Sequence, residues 1–358
     1  MLRKFGMLAA ALAMGGLLAC AGNAFAAKGF KDLAFMGSYM DRHPTVLNVW
    51  KPWFKVAEEK FGGKLSFNYF VENQLYPETE DLAALSDGRA DFGCVRPSVF
   101  PGKMNLMSVV ALPGMCPNAI VGGLVAEELY QKFPAVSGEF PKESVHFLAW
   151  ASAAYQIHTI NPVKSAAELK GKKIIVWDAT TLEYAKALGC NPIRMPGADS
   201  YLALSKGMAD GVLCPLAPLR SYKISESCKH HLILNLYVNT FVIQANKGLW
   251  DSMPADMQAW LKEEGGLKMS LACGKSLEDG AKADTKWMED QGHQFYYLSD
   301  AEREAALAPL ATFTDQWKNV ECKGMDPKVV DEVLAFARER SKFHTQQVRE
   351  GKYGDYKL

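Results

Sequence analysis

Ala84-Leu85-Ser86-Asp87-Gly88-Arg89-Ala90-Asp91 returns later in the chain as Ala203-Leu204-Ser205-Lys206-Gly207-Met208-Ala209-Asp210. Six of the eight positions are identical, in the pattern A-L-S-x-G-x-A-D. Each copy follows a helical stretch, 79–86 in the first and 198–205 in the second. Each leads into a short apolar segment, 92–95 or 212–214, and soon meets a proline, Pro97 or Pro215. A glycine ends a helix because it takes the left-handed conformation without steric cost. The short apolar strand that follows enters a parallel sheet, and ligands of such sheets bind beyond the carboxyl ends of their strands. The repetition predicts two lobes built alike, each with a helix–glycine–strand unit opening toward a ligand.

Working outward, 33–37 reads as a first strand. His43-Pro44 starts a helical pattern, with proline suited to a first turn. Val46, Val49, Trp50, Trp53, Ala57 and Phe61 recur at helical spacing, and Pro52 should kink or divide that helix. Leu65, Phe67, Tyr69 and Val71 alternate, as a strand with one buried face does. Between the two copies, Ile174-Ile175-Val176 forms a strand, Thr180 or Thr181 caps a helix running to Leu188, and Gly189 closes it. Tyr237 to Ala245 is a β-rich run. From Asp251 a long helical region reaches toward Met288, with Gly265-Gly266 and Gly274 as the positions where it can bend. A helix of about 30 residues is long for one domain, so it is expected to brace both lobes.

The N-terminus sets the compartment. Arg3 and Lys4 precede an uncharged apolar or small run, 7–21, and Ala24-Phe25-Ala26 fits a small-x-small cleavage site. This is the layout of a secretory signal, residues 1–26, with cleavage before Ala27. The run is too short to span a bilayer stably. Leu17-Leu18-Ala19-Cys20 also resembles a lipobox that would leave Cys20 as a lipidated first residue. Leu18 is not the small residue favoured there, so soluble export is the preferred expectation.

Lys and Arg number 40 and Asp and Glu 40, for a formal net charge of zero, with no basic block. That excludes nucleic acid as an electrostatically driven partner. Eight cysteines are scattered without a CxxC spacing, which argues against a zinc or thioredoxin-type site. No G-x-S-x-G elbow, H-E-x-x-H, phosphate loop or dinucleotide fingerprint occurs, so neither a catalytic site, a metal nor a cofactor is expected. His230-His231 would point to opposite faces of a strand and chelate poorly, so a surface pair is expected.

The run from Leu169-Lys170-Gly171 through Ala187-Leu188-Gly189, Pro192, Tyr201, Ala203-Leu204, Gly207 and Ala209-Asp210-Gly211 resembles the substrate-binding proteins of TRAP transporters, the DctP-like family. Ser225, Ser227, Lys229-His230, Asn246-Lys247, Trp250-Asp251 and Pro254 extend the resemblance. So do Gly88, Ala90-Asp91, Phe100-Pro101 and Leu112-Pro113 nearer the front. The resemblance runs from about Phe35 to Met288. It implies a periplasmic α/β protein of two lobes, joined by crossing strands and one long lobe-spanning helix. Such proteins close on one small organic solute and deliver it to membrane permease subunits. The family commonly holds an acid group with an arginine, in a stretch like L-K-G-x-K-x-R-V. Here Leu169-Lys170-Gly171-Lys172-Lys173-Ile174-Ile175-Val176 puts Ile175 in that place, and an aliphatic side chain donates no hydrogen bond.

The fold expected is therefore a two-lobed periplasmic binding protein. Lobe I would comprise 27–152 plus about 240–280, and lobe II about 153–239 plus about 281–358. The function expected is capture of a small organic anion, a carboxylate or sulfonate, by lobe closure. The alternatives are an exported α/β enzyme acting on a small organic acid and a solute-presenting subunit of a sensor system. Arg96, just past a strand end, is the first substitute cation, and Arg220 lies in the related region after the second copy. Trp177 and Asp178 follow the 174–176 strand, where a ligand-facing pair is expected. Tyr39 follows the first strand. Tyr155 flanks the first crossing between lobes, and Asn239 and Phe241 flank the return crossing.

Overall fold

The computed structural model describes residues 29–358 apart from Ser38, Glu72 and Asn73. The export signal and Cys20 lie outside the described residues. In chain order the strands are β1 (Phe30–Met36), β2 (Leu65–Phe70), β3 (Phe92–Val95), β4 (Ser144–Ala151), β5 (Gln156–Thr159), β6 (Lys173–Val176), β7 (Asn191–Arg194), β8 (Gly211–Cys214), β9 (His230–Ile233), β10 (Thr240–Asn246) and β11 (Gln294–Tyr297). The helices that matter below are α1 (Lys51–Lys60), α2 (Asp81–Asp87), α3 (Ala119–Lys132), α4 (Ala179–Ala187), α5 (Ser200–Ser205), α6 (Ala217–Ser221), α7 (Ala255–Glu264) and α8 (Gly266–Glu289).

Two mixed sheets result, ordered β2-β1-β3-β10-β4 and β11-β9-β5-β8-β6-β7. Within the first, β1 is parallel to β2 and β3, and β10 runs antiparallel to β3. Within the second, β6 is parallel to β7 and β8, and β5 runs antiparallel to β8. The same four-strand pattern is thus built twice, as β2-β1-β3-β10 and as β7-β6-β8-β5. The repeated octapeptide sits at the same place in both. Gly88 follows α2 at φ 79° and leads into β3, and Gly207 follows α5 at φ 68° and leads into β8. The closing aspartates do one job. Asp91 Oδ2 accepts the Ala34 N–H at 2.7 Å, and Asp210 Oδ2 accepts the Lys173 N–H at 2.7 Å. Each ties its own strand start to the neighbouring parallel strand.

The chain packs as two compact units. One holds the described residues up to Val95 with Phe140–Leu148 and Val242–Gly266; the other holds Arg96–Glu139, Ala149–Phe241 and Leu267–Leu358. The division passes through β4 and β10. Segments 96–139 and 267–280, grouped above with the first lobe, pack in the second unit.

In the first unit Phe35, fully buried, lies 5.2 Å from the rings of Trp50 and Phe54 and 5.9 Å from Phe92. In the second unit the alternation of β6 divides the core. Ile174 and Val176 join a cluster with Ile157, Leu213 and Tyr237. Ile175 joins another with Ala203, Leu204, Val212 and Leu219. A strand buried on both faces reads as an unbroken apolar run, which is what 174–176 is.

Two expectations about helices are refined. Pro52 falls in the first turn of α1, directly after a π-helical turn at Val46–Trp50, where its missing N–H costs little. The long helical region is two helices. Gly265 is extended and Gly266 takes φ 55°, so α7 ends and α8 begins anew.

Candidate functional site

In the second unit, Arg96 stands at the carboxyl end of β3 in an extended conformation, opening a 3-10 turn at Pro97–Val99. Its guanidinium lies 6.0 Å from the centroid of the Phe241 ring. Phe241 stacks on Trp150 at 4.7 Å, and both rings are buried. A cation held beside aromatic surface is attracted by the ring quadrupole.

Segments 152–155 and 236–239 run side by side. Ser152 N–H donates to Asn239 O at 2.8 Å, Tyr155 N–H to Tyr237 O at 3.1 Å, and Leu236 N–H to Tyr155 O at 3.1 Å. Ser152 Oγ accepts the Asn239 N–H at 2.9 Å, and Asn239 Nδ2 donates to the Tyr155 phenol oxygen at 3.2 Å. The Tyr155 ring lies 4.4 Å from Tyr237, and Tyr184 meets Tyr237 edge-on at 5.2 Å. Burial pushes the Tyr155 phenol up to about 12; the charge of Asp178 adds to this and that of Arg96 opposes it. The phenol is therefore a neutral hydrogen-bonding group at any physiological pH. Arg96, Tyr155, Asp178, Asn239 and Phe241 thus belong to one neighbourhood.

Asp178 has a defined structural task there. It caps α4, with its Oδ1 accepting the Thr181 N–H at 2.7 Å and the Thr181 hydroxyl at 2.9 Å. A carboxylate at a helix N-terminus satisfies orphan N–H groups and complements the dipole. Trp177, half-buried, donates its indole N–H to Ser200 Oγ at 3.2 Å and meets Tyr222 edge-on at 5.8 Å. Gly197 sits against it: a Cβ there would come within 3.1 Å of the indole. Trp177 and Tyr222 therefore form a rigid aromatic wall.

The other two candidates stand elsewhere. Arg220 in α6 has a side chain 61% exposed, with its cation 4.8 Å from the Trp287 ring and 3.8 Å from Asp284 Oδ1. It is engaged by α8. Tyr39, in the first unit, stacks on His43 at 3.7 Å, and its carbonyl accepts the Tyr69 hydroxyl at 2.8 Å. Burial lowers the His43 imidazole to about 4, so it remains neutral.

The sequence reading passed over Tyr184 and Tyr222. Tyr184 lies on the helix that Asp178 caps, and Tyr222 directly follows α6, so proximity to Asp178 and Arg220 was their only signal. The expectation for His230-His231 is corrected in part. The pair does point to opposite faces: His230 Nδ1 bonds the Tyr296 hydroxyl at 3.0 Å, while His231 faces His158 and His293. His231 is completely buried rather than on the surface, because it lies on a central strand between two other rings. Among the described residues, no cluster of three or more His, Cys, Asp or Glu could hold a metal ion. Among the same residues, no helix is long and apolar enough to cross a membrane.

A twice-built α/β sheet, with polar and aromatic groups gathered at strand ends, defines a solute-binding protein of the two-lobed periplasmic class. The chain belongs to the bacterial extracellular solute-binding protein family 7, DctP, which residues 35–319 match. It is 25% identical over 266 residues to the C4-dicarboxylate-binding periplasmic protein DctP of Rhodobacter capsulatus, covering 72% of this chain and 78% of that protein. A TRAP periplasmic solute binding protein from Desulfovibrio salexigens superposes with a TM-score of 0.80 at 25% identity, covering 88% of this chain and 97% of that one. A TRAP solute binding protein from Rhodoferax ferrireducens, in complex with copurified benzoate, gives 0.74 at 24% identity over 88% and 98%. The chain is thus a TRAP-type transport receptor and not an enzyme, which sets the enzymatic alternative aside.

Proposed function

We propose that this receptor captures a small organic anion, a carboxylate or sulfonate with an apolar or aromatic body, and that Arg96 is its clamp. The observation that carries the reading is the pairing of Arg96 with what Ile175 has become. Ile175 is fully buried in an apolar cluster and cannot meet an acid group. Arg96 stands at a strand end beside Phe241 and within electrostatic reach of Tyr155. A guanidinium offers a planar pair of donors to a carboxylate or sulfonate. Tyr155 and Asn239 add neutral polar contacts, Phe241 and Trp177 supply flat apolar surface, and Asp178 positions α4 beneath them.

A solute that binds the closed form better than the open one shifts the receptor toward closure. The mature chain, freed by cleavage before Ala27, acts in the periplasm and passes its solute to the membrane permease subunits of a TRAP transporter. The relatives that bind benzoate, or (R)- and (S)-mandelate in Bordetella bronchiseptica, support an acid group on a ring.

A thermal-shift screen with benzoate, succinate, ethanesulfonate and xylitol tests this. At least one anion should stabilise the protein in proportion to RT ln(1 + [L]/Kd), without being consumed, and the neutral polyol should not. Arg96→Ala should then weaken that anion by at least roughly tenfold, the loss expected of a charge-assisted hydrogen bond. Unchanged affinity in the variant would remove Arg96 from the role.

A further inference from the structure

The second unit contains a line of side chains that solute capture does not use. Lys229 Nζ lies 3.1 Å from His293 Nε2, and His293 Nδ1 lies 2.9 Å from His231 Nε2. His231 Nδ1 lies 2.9 Å from His158 Nδ1, and His158 Nε2 lies 3.0 Å from the Cys214 carbonyl oxygen. His158 and His231 are completely buried and His293 nearly so, while Lys229 is half-buried at the outer end.

The two ends decide every proton between them. A carbonyl oxygen only accepts and an ammonium only donates. His158 must therefore carry its proton on Nε2 and accept at Nδ1. His231 must carry its proton on Nδ1 and accept at Nε2, and His293 must do likewise. All three rings are neutral, and no other arrangement satisfies all four contacts. A proton added to any ring sets one N–H against another. If relayed outward along the line, the conflict only moves until it meets the Lys229 ammonium.

Among the described residues, no acidic side chain acts on the rings. The groups acting on the rings are Lys229 and His230, with Lys164 acting in turn on His230. Around them lie the Cys214 thiol, which burial keeps protonated, the Tyr296 phenol on His230, and the Phe295 ring 4.5 Å from His231. Burial lowers His158 and His293 to about 4 and His231 further, and at His231 and His293 the charge of Lys229 adds to it.

The line also joins particular strands. His158 is in β5, Cys214 ends β8, His231 is in β9, and His293 directly precedes β11. Tyr155 stands one residue before β5, and the segment leaving β9 carries Tyr237 and Asn239. A second polar lock reinforces this junction: Gln156 Oε1 accepts the N–H groups of Leu234 and Asn235 at 2.8 Å each.

We propose that the line from Lys229 to the Cys214 carbonyl is an acid-sensitive staple. It holds β5, β8, β9 and β11 together while its three rings are neutral, and Lys229 is the gate that keeps them so. Acid breaks it and loosens the strand ends that bear Tyr155 and Asn239, so bound solute leaves; this last step rests on the reading of those residues as part of the solute site.

The test uses the full mature chain with ¹⁵N-labelled histidine. Ring-nitrogen shifts at pH 7 should show a proton on Nε2 of His158 and on Nδ1 of His231 and of His293. Amide protection in 156–159 and 230–233 should fall at least tenfold between pH 7 and 4.5. Lys229→Gln removes the ammonium, and Lys229→Glu replaces it with an acceptor. The midpoint of ring protonation should rise by about one pH unit in the first and further in the second. A different tautomer set, or midpoints unmoved in both variants, would overturn the staple. Benzoate, succinate and ethanesulfonate titrations at pH 7 and 5 judge the link to solute. Weaker binding at pH 5 that the Lys229 variants show already at higher pH supports it, and pH-independent binding refutes it. Absence of binding at pH 7 sinks the solute reading, while the ring and exchange results still decide the staple.

Discussion

Ile175 shows how the packing of one position limits the chemistry it can do. It occupies β6, pairs with Val212 of β8, and points into an apolar cluster with Ala203, Leu204 and Leu219. An arginine placed there would not make a clamp in this chain. The guanidinium would enter this apolar cluster, and an uncompensated buried charge is strongly destabilising. Ile175→Arg is therefore expected to lower stability by at least about 3 kcal/mol in urea unfolding. It should give no gain in affinity for any organic anion. A folded variant that binds an anion tighter than the parent would show that β6 can rotate to expose this position, contrary to the packing described.

At the level of elements, the repeated octapeptide made much of the fold legible, because each part of it has one local meaning. A glycine at positive φ ends the helix, an aspartate bonds the neighbouring strand, and a four-residue apolar strand follows. Other features were not legible. The apolar spacing of 257–272 continues through Gly265-Gly266, so periodicity alone reads α7 and α8 as one helix. Nor does sequence distinguish a glycine that breaks a helix from one that lets two helices touch. Gly274 is the second kind: a Cβ there would sit 2.7 Å from the Ile120 Cα in α3, and one at Gly123 would sit 2.8 Å from Ser270 Oγ of α8. The pairing of 152–155 with 236–239, and the meeting of His158, His231 and His293, depend on strands far apart in the chain. Composition and spacing carry no signal for either. Gly274→Ala should therefore destabilise the protein by about 1–3 kcal/mol through overpacking against backbone, although alanine is the better helix former. Chemical denaturation would detect this directly. A stabilised variant would mean that α3 and α8 can separate freely.

For the molecule as a whole, burial of titratable groups sets opposing dependences on pH, and the second unit carries both. His158 and His293 are lowered to about 4 by burial, and His231 further. Unfolded, each takes up a proton near pH 6.5. The unfolded chain thus binds more protons between about pH 4 and 6.5, and this stability is lost as pH falls through that window. Glu139 and Glu278 act the other way. Burial pushes both up to about 7, although Glu139 accepts the N–H groups of Leu106 and Met107 and Glu278 accepts that of Ala119. Folded, they hold protons that the unfolded chain releases near pH 4.3, so their contribution is lost as pH rises through 7. Each group changes stability by about 1.4 kcal/mol per pH unit. Where the windows overlap, these three histidines oppose these two carboxyls, and between them stability rises with pH. Just above pH 6.5 only the carboxyls still titrate and the slope reverses. The stability of this unit should therefore peak between about pH 6 and 7. Urea midpoints at half-unit steps from pH 5 to 8 would trace the curve, and Glu278→Gln should flatten its alkaline limb while leaving the acid limb steeper. A profile that climbs steadily to pH 8 would mean that the two carboxyls are ionised where they lie, and a flat acid limb would mean that the histidines are not held neutral.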